Sequence, residues 1–284
     1  MTDHQSYSHI LIHGVGLIGG SVAATVRRLW PDCRVTGIGR NGNRLASAQQ
    51  AGLLTDWAMA VSDVETDPNA IVVNCLPVKY IASEVIQTAD ATPDSVLITD
   101  AGSVKQSIQA AVSKSQTAVS RFVGAHPIAG SEKAGFEHAE ANLFEGRPCV
   151  VTTSKAGPAF ESRCQQFWSD LGATVSILTP AEHDRALAIT SHLPHVLAAV
   201  AAGCLGDGDH PYIGTGFRDT TRVASGDPGL WQQILTDNRE QLLNALKQAK
   251  SSLGQLTSAL EESRDDDVQK FLSKAAEIRQ SISH

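Results

Sequence analysis

Residues able to do chemistry fall at a few places along this chain, and His126 is the first of them. It closes the apolar run 121–125 and is followed by Pro127-Ile128-Ala129-Gly130-Ser131. An imidazole at the carboxyl end of a strand can exchange a proton near neutral pH, although the same residue can cap or pack there. Ser103 follows Asp100-Ala101-Gly102 and precedes a helical stretch, so its hydroxyl can orient a neighbouring group or act as a helix N-cap. Arg218 and Arg222 stand in the glycine-bearing segment 212–222, which reads as a loop. Facing a cleft, two guanidinium groups suit a carboxylate; facing outward, they are simply solvated. Ser191, His192 and His195 gather around Pro194 inside an apolar helix. The proline removes a backbone donor and leaves the Thr190 carbonyl without its usual partner, which points to a cleft wall at a kink. Two imidazoles at i, i+3 without a third ligand make a poor metal site, and no metal is expected.

A glycine turn near the N-terminus must position these groups. Ile10-Leu11-Ile12-His13 reads as a buried strand, Gly14-Val15-Gly16-Leu17-Ile18-Gly19 as the turn, and residues 17–29 as a helix. Gly14 permits the tight turn, Gly16 lets a pyrophosphate approach the backbone, and Gly19 lets helix and sheet pack closely. The N–H groups at Leu17 and Ile18 then hold the anion. Short strands are expected at 34–39, 70–76 and 95–99, with helices at 43–51, from Val78 and from Ser103; this alternation is that of a doubly wound parallel sheet. Such sheets bind ligands at the carboxyl ends of their strands, so the residues just after each run matter most: Leu76-Pro77, the stretch ending in Ser103, and His126-Pro127. About twenty residues past the glycines, where an acid would accept hydrogen bonds from the ribose hydroxyls of NAD, the chain has Gly39-Arg40 with Arg44 nearby. Loss of the carboxylate and gain of a guanidinium favour NADP over NAD, unless Arg40 is solvated or stacks on adenine.

Strands at 148–152 and 173–178, flanking a helix near 159–171, are expected to extend this sheet. Thr179-Pro180-Ala181-Glu182 then reads as a helix start, and no convincing strand follows. The expected division is an α/β domain, 1–178, followed by an all-α domain, 179–284. Leu242, Leu246, Ala249, Leu253, Leu256 and Leu260 recur in steps of four and three, a seam for another helix of this chain or of a second copy.

A chain of 284 residues accommodates two such domains. A net charge of −7 without a basic cluster argues against nucleic acid. Five scattered cysteines suggest neither a disulfide framework nor a zinc site. The N-terminus lacks a signal pattern and no apolar run reads as membrane-spanning, so a cytoplasmic protein without membrane contact is expected.

Taken together, GVGLIGGS at 14–21, DAGSVK at 100–105, GAHPIAGSEKAG at 124–135, SHLPH at 191–195 and GFRDTTRVASGDPGLW at 216–231 resemble the prephenate and arogenate dehydrogenases of tyrosine biosynthesis. The resemblance covers nearly the whole chain. It implies a Rossmann-type nicotinamide domain, a helical domain through which two subunits intertwine as a homodimer, and oxidative decarboxylation of prephenate, arogenate or both. His126 resembles the histidine that hydrogen-bonds the substrate's ring hydroxyl, and Ser103 the serine that orients both. Arg222 resembles the arginine that binds a substrate carboxylate, while Ser191 and His195 resemble polar pocket walls. Ser131 and Glu132 fall at family gating or effector-sensitive positions, and Arg218 stands where a lysine is frequent. Other readings remain: a two-domain hydroxy-acid or imine reductase, which would be expected to use a lysine or aspartate in place of this histidine, and a non-catalytic NADP sensor, which would need only the first domain.

Overall fold

A computed structural model describes residues 7–130 and 133–282. The first run of apolar residues forms β1 (His9–His13), buried throughout, and feeds through the glycine turn into α1 (Leu17–Leu29). β2 (Arg34–Ile38), α2 (Gly42–Gln50), β3 (Asp56–Ala58), β4 (Ile71–Asn74), α3 (Val78–Ala91), β5 (Leu97–Asp100), α4 (Gln106–Val112), α5 (Gln116–Val119) and β6 (Phe122–Val123) follow. The six strands pair in parallel in the order β3-β2-β1-β4-β5-β6. This is the doubly wound arrangement that the alternation of short β-branched runs and helices requires. Ile10, Ile12, Ile71, Val73 and Leu97 pack on Val22 and Val26 of α1, whereas Ile98 packs with Ile81, Val85 and Ile108 of α3 and α4. β3 was not anticipated: Asp56-Trp57-Ala58 is short, carries an acid and is only partly buried, so it has no apolar run to betray it.

The expected strand 121–125 leading to His126 is instead two strands. Gly124 separates β6 from β7 (Ala125–Pro127), and β7 leaves the main sheet to pair antiparallel with β8 (Pro148–Thr152). β8 pairs in parallel with β9 (Thr174–Leu178). The late strands therefore build a second, three-stranded sheet and do not extend the first. The hinge is tight, because a Cβ at Gly124 would sit 2.8 Å from Thr152 Oγ1. α6 (Pro158–Asp170) covers the junction with Cys164, Phe167 and Trp168, all fully buried.

Beyond β9 every regular element among the described residues is helical. α7 (Pro180–Leu187) opens on the anticipated capping box, Thr179 with Glu182, and Pro180 in the first turn. A π-helical turn, Ala188–His192, joins it to α8 (Leu193–Gly203). The widened turn accommodates the donor that Pro194 lacks, so the expected kink takes the form of a π-bulge. Residues 212–222, read as a loop, contain α9 (Thr215–Thr221), followed by a 3₁₀ turn, Arg222–Ser225. Its two glycines mask a seven-residue helix whose residues are exposed or only partly buried. Asp227 caps α10 (Pro228–Asp237) through the Leu230 N–H, and α11 (Arg239–Glu261) and α12 (Asp265–Ser281) complete the chain.

The continuous helix Pro180–Gly203 is long and apolar enough, by length and composition, to cross a membrane, contrary to the expectation that no run would be. Its apolar residues are split by His183, Asp184 and the 190–195 polar cluster, which hides the length from a reading by runs.

Candidate active site

Two of the strands bring polar groups together where they end. Asp100 closes β5, and its carboxylate accepts hydrogen bonds from Ala125 N–H at 2.9 Å and Gly102 N–H at 3.0 Å. Lys105, also buried, pairs with Asp100 and donates to the Ala125 carbonyl at 2.8 Å. This buried pair, with every oxygen and proton of its contacts directed at backbone or partner, fixes β7 against the end of β5 and so fixes His126.

His126 is half-buried. Its Nδ1 lies 2.8 Å from Nε2 of His183, and His183 Nδ1 lies 2.7 Å from Asp184 Oδ1. Asp184 in turn accepts from the N–H groups of Lys105 at 2.8 Å and Gln106 at 2.9 Å, satisfying orphan donors at the start of α4. Burial, with the nearby His183, Lys105 and His192, holds the His126 imidazolium form well out of reach at neutral pH. Burial likewise lowers His183, and it pushes His192 down to about 4. His192 Nδ1 meets the Asn238 side-chain amide at 3.1 Å, and the same amide donates to the Asp184 carbonyl at 2.7 Å.

His195 forms the adjoining wall. It is stacked on Trp231 and lowered by burial, which the neighbouring Val223 backbone partly offsets. His192 meets the same Trp231 ring edge-on, ring centres 6.3 Å apart. Arg222 begins the 3₁₀ turn beside His195; it and Arg218 are exposed and make no side-chain hydrogen bond or ion pair among the described residues. Ser191 lies half-buried in the π-helical turn.

Ser103 sits between Asp100 and Lys105, half-buried, and its hydroxyl bonds to no described residue, His126 included. It is not the N-cap of α4, which begins three residues later with Lys105 at the cap position. Ser131 and Glu132 lie outside the described residues.

The glycine turn offers a cradle that fits a dinucleotide. Gly14 has φ +85°, and a Cβ there would lie 2.9 Å from the Cys75 carbonyl oxygen and 2.9 Å from Leu76 Cδ2. A Cβ at Gly19 would collide with the Gly14 carbonyl, whereas at Gly16 it would meet nothing within 4 Å, so the backbone is open where a pyrophosphate would approach. α1 has no side-chain cap and no acid in its first turn, leaving the N–H groups of Leu17 and Ile18 for an anion. Leu76 and Pro77 line the same edge, Pro77 as the residue before α3. Gly39 ends the turn after β2, and the Arg40 guanidinium lies 5.5 Å from the centre of the Tyr80 ring. Arg44 reaches Glu137 at 3.7 Å.

Sequence reasoning missed Asp100, Lys105, His183, Asp184, Trp231 and Asn238 as parts of the site. Three of them lie within motifs already singled out, whereas His183 and Asp184 sit inside the polar run Glu182-His183-Asp184-Arg185, which does not set them apart from a solvated helix face.

Comparison with known proteins agrees with this geometry. Residues 22–177 match the family model "Prephenate dehydrogenase, nucleotide-binding domain" and residues 179–274 match "Prephenate dehydrogenase, dimerization domain". The cyclohexadienyl dehydrogenase of Zymomonas mobilis is 28% identical, over 97% of this chain and 96% of its own length. Prephenate dehydrogenase from Aquifex aeolicus, solved with hydroxyphenyl propionate and NAD+, superposes with a TM-score of 0.90 at 28% identity, covering 98% of this chain and 99% of that one. Synechocystis arogenate dehydrogenase gives 0.84 at 29% identity, covering 96% and 99%. With a Rossmann-type nucleotide-binding domain and a dimerisation domain matched end to end, the chain belongs to the prephenate dehydrogenase family.

Proposed function

We propose that this enzyme, an NAD(P)-dependent dehydrogenase of that family, oxidatively decarboxylates prephenate, arogenate or both through a site built on His126. The observation that carries the assignment of His126 is its environment: a half-buried imidazole, held neutral by burial, with Nδ1 engaged and no partner for the other nitrogen among the described residues. The nicotinamide, when bound, supplies the hydride acceptor. His126 takes the proton of the ring hydroxyl as the hydroxyl-bearing carbon loses its hydride and the ring carboxylate leaves as carbon dioxide; aromatisation drives both. Arg222, with no competing partner, holds a substrate carboxylate, and Arg218 adds positive charge at the entrance. Ser103 completes the hydroxyl's surroundings, and Ser191 and His195 form the wall; Ser131 is assigned to substrate binding by its place in the motif 124–135 alone. A hydroxy-acid or imine reductase would need a lysine or aspartate where this chain has His126.

Gly14, Gly16, Leu17, Ile18 and Gly19 hold the pyrophosphate, and Gly39, Arg40, Leu76 and Pro77 surround the adenosine half. NADP is favoured, since Arg40 is exposed after β2 and no acid stands there. The division into domains falls at residue 178. Two copies form a homodimer through 179–284, where Leu197, Val200, Leu253 and Leu260 leave apolar surface exposed. The apolar face of Pro180–Gly203 belongs to that interface, in a cytoplasmic enzyme acting on small molecules. A sedimentation run showing a stable monomer at micromolar concentration would rule the dimer out.

The deciding experiment follows absorbance of the reduced cofactor with prephenate and with arogenate, each supplied with NAD and with NADP. Reduction with at least one pair is expected; none, from folded protein, overturns the assignment.

A further inference from the structure

The hydrogen bonds behind His126 and His192 settle which ring nitrogen of each carries its proton. The two Asp184 carboxylate oxygens accept the Lys105 and Gln106 backbone N–H groups, and Oδ1 also faces His183 Nδ1 at 2.7 Å, so that nitrogen is the protonated one. Neutral His183 then offers a lone pair at Nε2, which His126 Nδ1–H must fill at 2.8 Å. A second path leaves the same residue through its backbone. Asn238 Nδ2 donates one hydrogen to the Asp184 carbonyl at 2.7 Å, which fixes the amide's orientation, and its other hydrogen points to His192 Nδ1 at 3.1 Å. His192 Nδ1 is therefore an acceptor. Among the described residues neither His126 Nε2 nor His192 Nε2 has a hydrogen-bond partner; His126 is half-buried and His192 is buried.

We propose that Asp184 presets two site histidines in opposite senses: His126 presents Nε2 as an acceptor through His183, and His192 presents Nε2–H as a donor through Asn238. The acceptor suits a substrate hydroxyl, and the donor suits an anionic or carbonyl oxygen of the same molecule. His183, Asp184 and Asn238 act as positioning residues. The opposite His126 tautomer would offer a proton to a hydroxyl that needs to lose one. This inference deepens the reading of His126 as the base, and it is tested without turnover.

Nitrogen-15 NMR of the dimer labelled at the histidine rings reads the tautomers directly, with His126→Asn and His192→Asn assigning the signals. His126 is expected as Nδ1–H and His192 as Nε2–H; either one reversed overturns the proposal. Asn238→Leu is expected to convert part of the His192 population to Nδ1–H and leave His126 unchanged; an unaltered His192 signal removes Asn238 from the mechanism. His183→Phe is expected to lower kcat by about 10²-fold or more with KM within a few-fold, and unchanged kcat removes the His183 arm. An enzyme silent with both substrates would sink the functional reading, while the parental spectrum would still decide the tautomers.

Discussion

The His195 imidazole lies flat on the Trp231 indole, ring centres 3.5 Å apart and planes 13° from parallel. The contact ties α8 to α10, and the turn that follows Arg222 closes over it: a Cβ at Gly226 would collide with the indole nitrogen and come within 3.4 Å of His195 Cε1. Arg222 is thus held at one end by a segment that packs on the stacked pair. Aromatic pairs of this kind contribute about 0.5–1.5 kcal/mol beyond their buried area. Trp231→Leu should therefore raise KM roughly two- to ten-fold, with a smaller change in kcat. Steady-state kinetics check it, and an unchanged KM would show that the stack does not shape the substrate pocket.

Much of this arrangement was legible in the sequence because its signals are local. The glycine turn needs Gly14 at positive φ and Gly19 without a side chain, and both requirements are met. The capping box at Thr179 is likewise local, and it formed as read. What stayed hidden depends on partners distant in sequence. His126 and His183 are 57 residues apart and Asn238 and Asp184 are 54 apart, so no spacing rule connects them. The sheet exchange at Gly124 is similar, since the run 121–127 is apolar enough to read as one strand until Asp100 and Lys105 capture Ala125. Arg222 was identified by motif, yet its environment as a loop was wrong, because glycines at 214 and 216 suggested breaks where a helix begins.

The proposed preference for NADP rests on the end of β2. Arg40 can pair with a 2′-phosphate, a charge-assisted contact worth about 1–3 kcal/mol. Its present contact with Tyr80 is a weak one, and Arg44 is shared with Glu137. NADP should bind more tightly than NAD, and Arg40→Asp should reverse the order. Titration of both cofactors against both proteins is the check; equal parental affinities would refute the role of Arg40.

Buried histidines set the acid limit of stability. His9 bonds to Thr36 at 2.9 Å in the core, and burial lowers both His9 and His192 to about 4. The unfolded chain, with histidines near their ordinary value of about 6.5, binds protons first as pH falls. Their contribution is therefore complete above about 6.5 and is lost progressively as pH drops toward 4, by roughly 3 kcal/mol for each group at most. Thermal melts across this range should show a falling Tm, and His9→Gln should flatten part of the slope. A parental Tm constant from pH 7 to 4.5 would contradict it.

His126 and Arg222 should fail differently. If the hydroxyl proton reaches His126 mainly in the transition state, His126→Ala should lower kcat by about 10²–10⁴-fold with a smaller change in KM. Because only the neutral imidazole accepts a proton, parental kcat should fall on the acid side, and the lowered His126 value places that limb below the usual histidine range. The limb should vanish in His126→Ala. If Arg222 holds a carboxylate in ground and transition states alike, Arg222→Ala should chiefly raise KM, by about 2–4 kcal/mol expressed as binding energy. Near-parental kcat in His126→Ala would transfer the base role to another imidazole of the cluster. His195, which forms the adjoining wall, is the next candidate. A fall in kcat with unchanged KM in Arg222→Ala would instead place that guanidinium at the reacting centre.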